Sequence, residues 1–208
     1  MANAIVTETG RLSLPIVDAF ELDETRRVIL RPDQLLADRQ GRARRLPRFF
    51  FEVDSWQTAL ETPLTDHFQL WEFMVVDVRE AQPLRIFPRY VPCAVSLLAQ
   101  NLELLRQTLG TFVHIAANGG YRSPAHRVTD HASLHCWATA ANIYRIGDDF
   151  LDTEEKITRY TRLVRRALPA AWIRPFGPER GQADDHLHVD IGYVLVTPRD
   201  AASDRGSA

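Results

Sequence analysis

Histidines in two short segments carry the metal-binding chemistry that this sequence offers. His126, His131 and His135 lie in the first segment, and His186 and His188 lie in the second. A His-x-His pair on a strand places both imidazoles on one face, because side chains repeat every second residue. Such a face can present two nitrogens to a metal ion or to a substrate. Taken alone, the pair favours the alternative interpretation, an exposed histidine pair without a function.

The motifs around these histidines change that interpretation. In chain order they are Gly120-Tyr121-Arg122-Ser123-Pro124, then Ser133-x-His135-x-x-Ala138-x-Ala140-x-Asn142, and finally Asp185-x-x-His188. The series resembles the zinc D-alanyl-D-alanine carboxypeptidases and the Hedgehog domains, a group known as the LAS metallopeptidases. The segment from Leu64 to Phe73 also looks like the one that precedes the turn in this group, so the resemblance covers residues 64–196.

The resemblance implies a zinc site. It makes His135, Asn142 and His188 the metal ligands, with Asn142 at the position where the family has an aspartate. A catalytic zinc takes three protein ligands and leaves one position for a water molecule, whose pKa it lowers to about 7. We therefore expect Zn²⁺ as the cofactor.

The resemblance also implies catalytic residues beside the metal. Asp185 matches the acidic residue that acts as general base, Arg122 matches the arginine beside the substrate carbonyl, and His186 matches the additional histidine of the His-x-His members. A carboxylate can take a proton from the water, and a fixed guanidinium can stabilise the oxyanion that forms when water attacks an amide.

Asn142 is the departure from the family pattern with the largest chemical consequence. Asparagine is neutral, and divalent ions favour anionic oxygen, so zinc affinity should fall unless another group enters the site. Cys136, Asp190 and His131 are the nearby candidates for that role. Asp185 is also one methylene shorter than the usual glutamate, which affects its reach as a base.

Composition limits the domain count and the partners. A chain of 208 residues with 45% hydrophobic content can bury one good core, so we expect a single domain. A net charge of -2 and a pI near 6.4 make nucleic acid and anionic membranes poor partners, whereas a peptide or small-molecule substrate fits. We find no export signal or membrane span and expect a cytoplasmic protein with reduced cysteines. The oligomeric state stays open.

Hydrophobic periodicity predicts an α+β fold in which a small mixed or antiparallel sheet is flanked by helices. We divide the chain into an N-terminal extension at 1–46, a carboxypeptidase-like domain at 47–197 and a disordered tail at 198–208. The predicted strands are 49–53, 112–116, 139–146 and 186–196, with a further β-like run at 28–30. The predicted helices are a short one containing Trp56, another at 70–74, and two longer ones at 88–109 and 153–168.

Two functions follow from these patterns. The first is a metal-dependent peptidase or amidase that hydrolyses a peptide or a D-amino-acid-containing amide, as in peptidoglycan. The alternative is a non-hydrolytic member with a degenerate zinc site, which binds a ligand or catalyses a different reaction in a biosynthetic pathway. Asn142 separates the two, because it decides how well the site holds zinc.

Overall fold

The structure, a computed structural model, describes residues 14–179 and 182–199. The helices are Glu24–Leu30 (α1), Trp56–Glu61 (α2), Gln82–Ile86 (α3), Val95–Leu109 (α4) and Glu154–Ala167 (α5), with 3₁₀ turns at Ala19–Glu21, Leu70–Phe73 and Leu134–Trp137. The strands are Ile16–Asp18 (β1), Leu35–Ala37 (β2), Ala43–Arg45 (β3), Phe49–Glu52 (β4), Tyr90–Pro92 (β5), Val113–Ile115 (β6), Ala140–Ile146 (β7), Asp149–Phe150 (β8), Trp172–Ile173 (β9) and Leu187–Asp190 (β10). The predicted tail at 198–208 lies almost entirely outside the described residues.

The main sheet confirms the α+β prediction. Its strands run in the order β6-β7-β10-β9, β8 pairs with β7, and every pairing is antiparallel. Side chains alternate between its faces, so Ile143, Leu187 and Val189 enter the hydrophobic core, which they share with buried residues of α4 and α5. The opposite face carries Asn142 and His188, which are directly paired across β7 and β10.

Residues 14–46 pack onto the rest of the chain. Strand β1 pairs with β4, which continues to β5 in a second antiparallel sheet, and β2 and β3 form a hairpin. Leu46 joins a small core cluster with Cys136 and Trp137, and the Trp137 indole N–H donates to the Arg45 carbonyl at 3.0 Å. The cysteines Cys93 and Cys136 are buried and unbridged.

Three element predictions were wrong. Residues 28–30 form the last turn of helix α1 and not a strand. The helix begins after Asp23, whose side chain caps the first turn by accepting the Arg26 N–H. The long helix begins at Val95 and not at Pro88, since Tyr90–Pro92 form the edge strand β5, a place where a proline is tolerated. The last strand ends at Asp190 and not at 196; two residues later Gly192 adopts a φ of +83°.

A buried carboxylate holds the turn that carries Arg122. Glu80 accepts hydrogen bonds from the Ser123 backbone N–H at 2.9 Å and from the Ser123 hydroxyl at 2.6 Å, and it also accepts the Ala81 N–H at 2.8 Å. Both Glu80 and Ser123 are buried. Since buried donors are costly to leave unpaired, this contact fixes the backbone next to Arg122.

We expect the substitution Glu80→Gln to lower the free energy of unfolding by about 1–3 kcal/mol, because it places an amide NH₂ opposite a buried N–H donor. Urea denaturation followed by circular dichroism measures this change. The exposed Glu155→Gln is the matched control and should stay within about 0.5 kcal/mol of the parent. Equal stability of the two variants would mean that Glu80 does not anchor the turn.

Candidate metal and catalytic site

Two glycines let the site loop pass close to the neighbouring backbone. A Cβ on Gly120 would lie 2.5 Å from the Phe73 carbonyl oxygen, and one on Gly119 would lie 2.6 Å from the Ala116 carbonyl oxygen. The loop is held there by hydrogen bonds from Tyr121 N–H to Phe73 O and from Asn142 N–H to Gly119 O, both at 2.8 Å. Only glycine fits this passage, because any larger residue would collide with backbone atoms.

The backbone at Gly120 determines which ring nitrogen of His135 carries the proton. The Gly120 carbonyl oxygen lies 2.7 Å from His135 Nδ1, so Nδ1 carries the proton and donates it. Burial, followed by the charges of Arg122 and His188, holds the pKa of His135 well below its ordinary value. The ring is therefore neutral, and its buried Nε2, which has no hydrogen-bond partner, presents a lone pair. A backbone carbonyl on the other ring nitrogen is a common support for a metal-binding histidine.

His188 faces two oxygen atoms. Its Nδ1 lies 2.9 Å from Asn142 Oδ1, and its Nε2 lies 3.3 Å from Asp190 Oδ2. Burial lowers the pKa of His188 to about 4, so the ring is neutral near pH 7 and has a single N–H. If that N–H points to the Asp190 carboxylate, the lone pair of Nδ1 faces the lone pairs of Asn142 Oδ1.

Two arrangements remove this conflict between acceptors. Rotation of the Asn142 amide by half a turn would let its NH₂ donate to His188 Nδ1. Alternatively, a cation can accept both lone pairs. His188 Nδ1 and Asn142 Oδ1 are 2.9 Å apart, which is less than the summed length of two zinc–ligand bonds of about 2.0–2.1 Å each. Both atoms can therefore reach one ion.

The third predicted ligand, His135, lies close to this pair. The ring centroids of His135 and His188 are 5.1 Å apart. His135 lies on the 3₁₀ turn Leu134–Trp137, which leads into β7. The predicted ligands thus offer a divalent ion one buried lone pair on His135 and the facing atoms of His188 and Asn142. Asp190 lies against the other ring nitrogen of His188.

No anionic group completes the set. Within the described residues, no group of three or more His, Cys, Asp or Glu side chains is placed to hold a metal ion. The predicted set of metal ligands contains two residues of these types, His135 and His188. Its third member, Asn142, is neutral. Cys136 is buried, and burial raises the pKa of its thiol to about 12, so it is not an available thiolate. These observations predict weak metal affinity.

Asp185 and His186 form a second pair. Asp185 Oδ1 lies 2.5 Å from His186 Nδ1, while His186 Nε2 is buried without a partner. The Asp185 side chain is 82% exposed, whereas that of His186 is 19% exposed. Burial lowers the pKa of His186, so this ring also presents a neutral Nε2 lone pair. The carboxylate orients the imidazole, and the imidazole is the more enclosed of the two groups.

The charges of two arginines act on these histidines. Burial lowers the pKa of Arg122 to about 10, and the charge of Arg122 contributes to the lowered pKa of both His135 and His186. The Nε atoms of Arg122 and Arg174 are buried without a hydrogen-bond partner, and neither arginine forms a salt bridge with a described residue. Buried guanidinium donors that lack a partner among the described residues favour an anionic or oxyanionic ligand.

The structure brings His135, Asn142 and His188 together around β7 and β10. It also gives Asp190, named above only as a replacement ligand, a contact with His188, and it adds Arg174, which the sequence did not single out. Asp190 lies two residues after His188, so the period of the strand was the available signal. Arg174 follows β9, where Trp172 pairs with Asp190. No sequence pattern indicated that this short strand would join the sheet beside the site.

No protein-family model, curated protein or solved structure matches this chain. The family resemblance therefore stays a prediction. Across residues 14–179 and 182–199 we find no helix with the length and apolar character needed to cross a membrane.

Asn142→Asp should raise the affinity for Zn²⁺ by about tenfold or more, because it adds an anionic oxygen where the neutral amide oxygen now faces His188. Competition with a chromophoric chelator measures the dissociation constant. Asn101→Asp adds the same charge on helix α4 and should leave the affinity unchanged.

Two other results of that titration would contradict the assignment. Tight binding by the parent chain, unaffected by Asn142→Asp, would mean that another group supplies the third ligand. Absence of binding in the parent and in Asn142→Asp would remove the metal site, and the histidines would then form a polar pocket without an ion.

Proposed function

We propose that this protein is a metal-dependent peptidase or amidase that acts on a peptide or a D-amino-acid-containing amide. The observation that carries the proposal is the group of neutral, buried imidazoles in which Nε2 of His135 and Nε2 of His186 have no partner. Unpaired buried nitrogens are costly, so their retention indicates a ligand. An amide hydrolase would use such nitrogens in two ways, as a metal ligand and as a proton acceptor.

His135, Asn142 and His188 would hold the ion, and Zn²⁺ suits the two imidazoles. When bound, the metal supplies Lewis-acid activation of water and of the scissile carbonyl. With its N–H on Nε2, His188 would donate to Asp190 and keep Nδ1 free to act as the ligand. The Gly120 carbonyl oxygen accepts a hydrogen bond from His135 Nδ1–H, which leaves Nε2 of that ring free to act as a ligand.

His186 is the proton acceptor in this proposal. Its Nε2 lone pair is enclosed, and the Asp185 carboxylate accepts the N–H of the opposite nitrogen and stabilises the imidazolium that forms. Asp185 is then a positioning residue. This assigns the proton transfer to the imidazole and not directly to the shorter, exposed carboxylate.

Arg122 would meet the developing oxyanion. Its Nε is buried, has no partner, and is fixed by a turn that Glu80 anchors from behind. A guanidinium that is already desolvated and oriented needs little reorganisation when negative charge develops on the substrate oxygen.

A second function, ligand binding without hydrolysis, is favoured by one specific observation. Asn142 leaves the metal set without an anionic protein ligand, and the described residues provide no replacement. Under this alternative the Asn142 amide would donate to His188, and the same pocket would bind a ligand through its arginines.

Hydrolysis of acetyl-D-alanyl-D-alanine by the purified protein tests the proposal. The assay compares chelator-treated protein with the same protein after addition of Zn²⁺, and free D-alanine is measured. We expect release of D-alanine only with the metal. Metal-bound protein that leaves this compound and a panel of other acetylated dipeptides intact would favour the ligand-binding alternative.

Arg122→Ala should lower kcat/KM by about 10²–10³-fold while leaving zinc content unchanged, since the guanidinium acts on the substrate and not on the ion. Arg127→Ala is the matched control, because Arg127 is exposed on the same loop. Zinc content is measured by elemental analysis of each variant. Loss of zinc together with activity in Arg122→Ala would show that Arg122 supports the metal site instead.

A further inference from the structure

A cavity of about 280 Å³ opens next to His188, on the side where Asp190 lies. Arg39, Trp172, Arg174 and Tyr193 line it together with these two residues. Because Trp172 pairs with Asp190 across β9 and β10, the cavity continues the open face of the sheet beyond the candidate site. Its volume is near the lower end of the range of about 300–1,000 Å³ for small-molecule pockets, so it suits a small molecule or the end of a peptide.

The hairpin of β2 and β3 supplies one wall of this cavity. It is fixed to the loop before His135 by a hydrogen bond from Ala132 N–H to Ala37 O at 2.8 Å. At its other strand, the Arg44 guanidinium lies 4.5 Å from the centre of the Tyr193 ring. The connection between the two strands thus holds Arg39 at the rim of the cavity.

Two arginines in the cavity lack an acidic partner. Arg39 Nε donates to His131 Nε2 at 3.2 Å, which orients the guanidinium and leaves its terminal amino groups available. Arg174 Nε is buried and unpartnered, and neither arginine forms a salt bridge within the described part of the chain. Burial and then repulsion from Arg39 lower the pKa of Arg174, consistent with two charges that lie close together.

The charge of Asp190 acts on Arg174, but within the described part of the chain its carboxylate forms no ion pair with either arginine, so it offsets only one of the two positive charges. Its Oδ1 accepts the Gly192 N–H at 3.1 Å, and its Oδ2 faces His188 Nε2 at 3.3 Å. Both carboxylate oxygens are therefore engaged by other groups. Two guanidiniums with free donors, beside an apolar wall formed by Trp172 and Tyr193, provide the donors and the enclosure that a planar carboxylate requires.

We propose that Arg39 and Arg174 form a carboxylate subsite, which binds the charged end of a substrate whose amide bond lies at His188. The inference rests on the proposed function for the identity of that substrate, and it gives the N-terminal hairpin a role in recognition. Inorganic phosphate shares the chemistry of a carboxylate toward guanidinium, so the experiment includes it as a separate arm.

Calorimetric titration of the chelator-treated protein tests the subsite without hydrolysis. The probes are acetyl-D-alanyl-D-alanine with a free carboxylate, the same compound as its C-terminal amide, and inorganic phosphate. We expect the free acid to bind about tenfold more tightly than the amide, because a hydrogen-bonded charge pair is lost in the amide. Arg39→Gln should abolish this difference, while Arg42→Gln, an exposed arginine of the same hairpin connection, should retain it.

Equal affinity for the acid and the amide, or an unchanged preference in Arg39→Gln, would overturn the proposal. Phosphate binding tighter than that of the free acid would also overturn it, since the subsite would then be built for a phosphorylated ligand. Because the titration uses metal-free protein, absence of hydrolysis in the zinc assay leaves its result unaffected. Failure of the subsite and failure of the hydrolase proposal are thus distinguished.

Discussion

The close backbone approach at Gly119 and Gly120 is the constraint on which the rest of the site depends. It brings the Gly120 carbonyl to His135 Nδ1 and the Gly119 carbonyl to the Asn142 N–H. One short loop thereby fixes the tautomer of the first histidine and the position of β7 relative to it. A side chain at either glycine would move both groups at once, because the contacts are with backbone atoms that cannot rotate away.

The charges of buried arginines give the site its second organising property. Arg122 and Arg174 are partly buried and form no ion pair with a described residue, and their charges help to keep His135, His186 and His188 neutral. Neutral imidazoles are the form that binds a metal, yet the guanidiniums oppose a further cation. An anionic substrate offsets the repulsion between the guanidiniums and the metal ion. Metal and substrate should therefore each favour binding of the other, a coupling that must be reciprocal.

Local patterns predicted the parts of the fold that local forces determine. The 139–146 strand and the 153–168 helix follow from alternation and capping, and both are confirmed with small shifts at their ends. Segments whose structure depends on distant partners were not predictable in this way. Residues 90–92 match a helical spacing but form β5 because β4 lies beside them, and no period identifies the hairpin that carries Arg39 as a wall of the cavity.

Asn142 is where the two functional hypotheses become mutually exclusive. His188 Nδ1 has one lone pair, and it can either accept an N–H of the Asn142 amide or bind a metal ion, but not both. A hydrogen bond from the Asn142 amide contributes about 1 kcal/mol net. An aspartate at this position has no N–H to donate, so it could pair only with an N–H on His188 Nδ1. Asparagine therefore stabilises the metal-free site in a way that aspartate cannot. The same amide oxygen, turned toward His188, still reaches a shared ion, so the residue lowers the affinity for metal without removing the geometry that binds it.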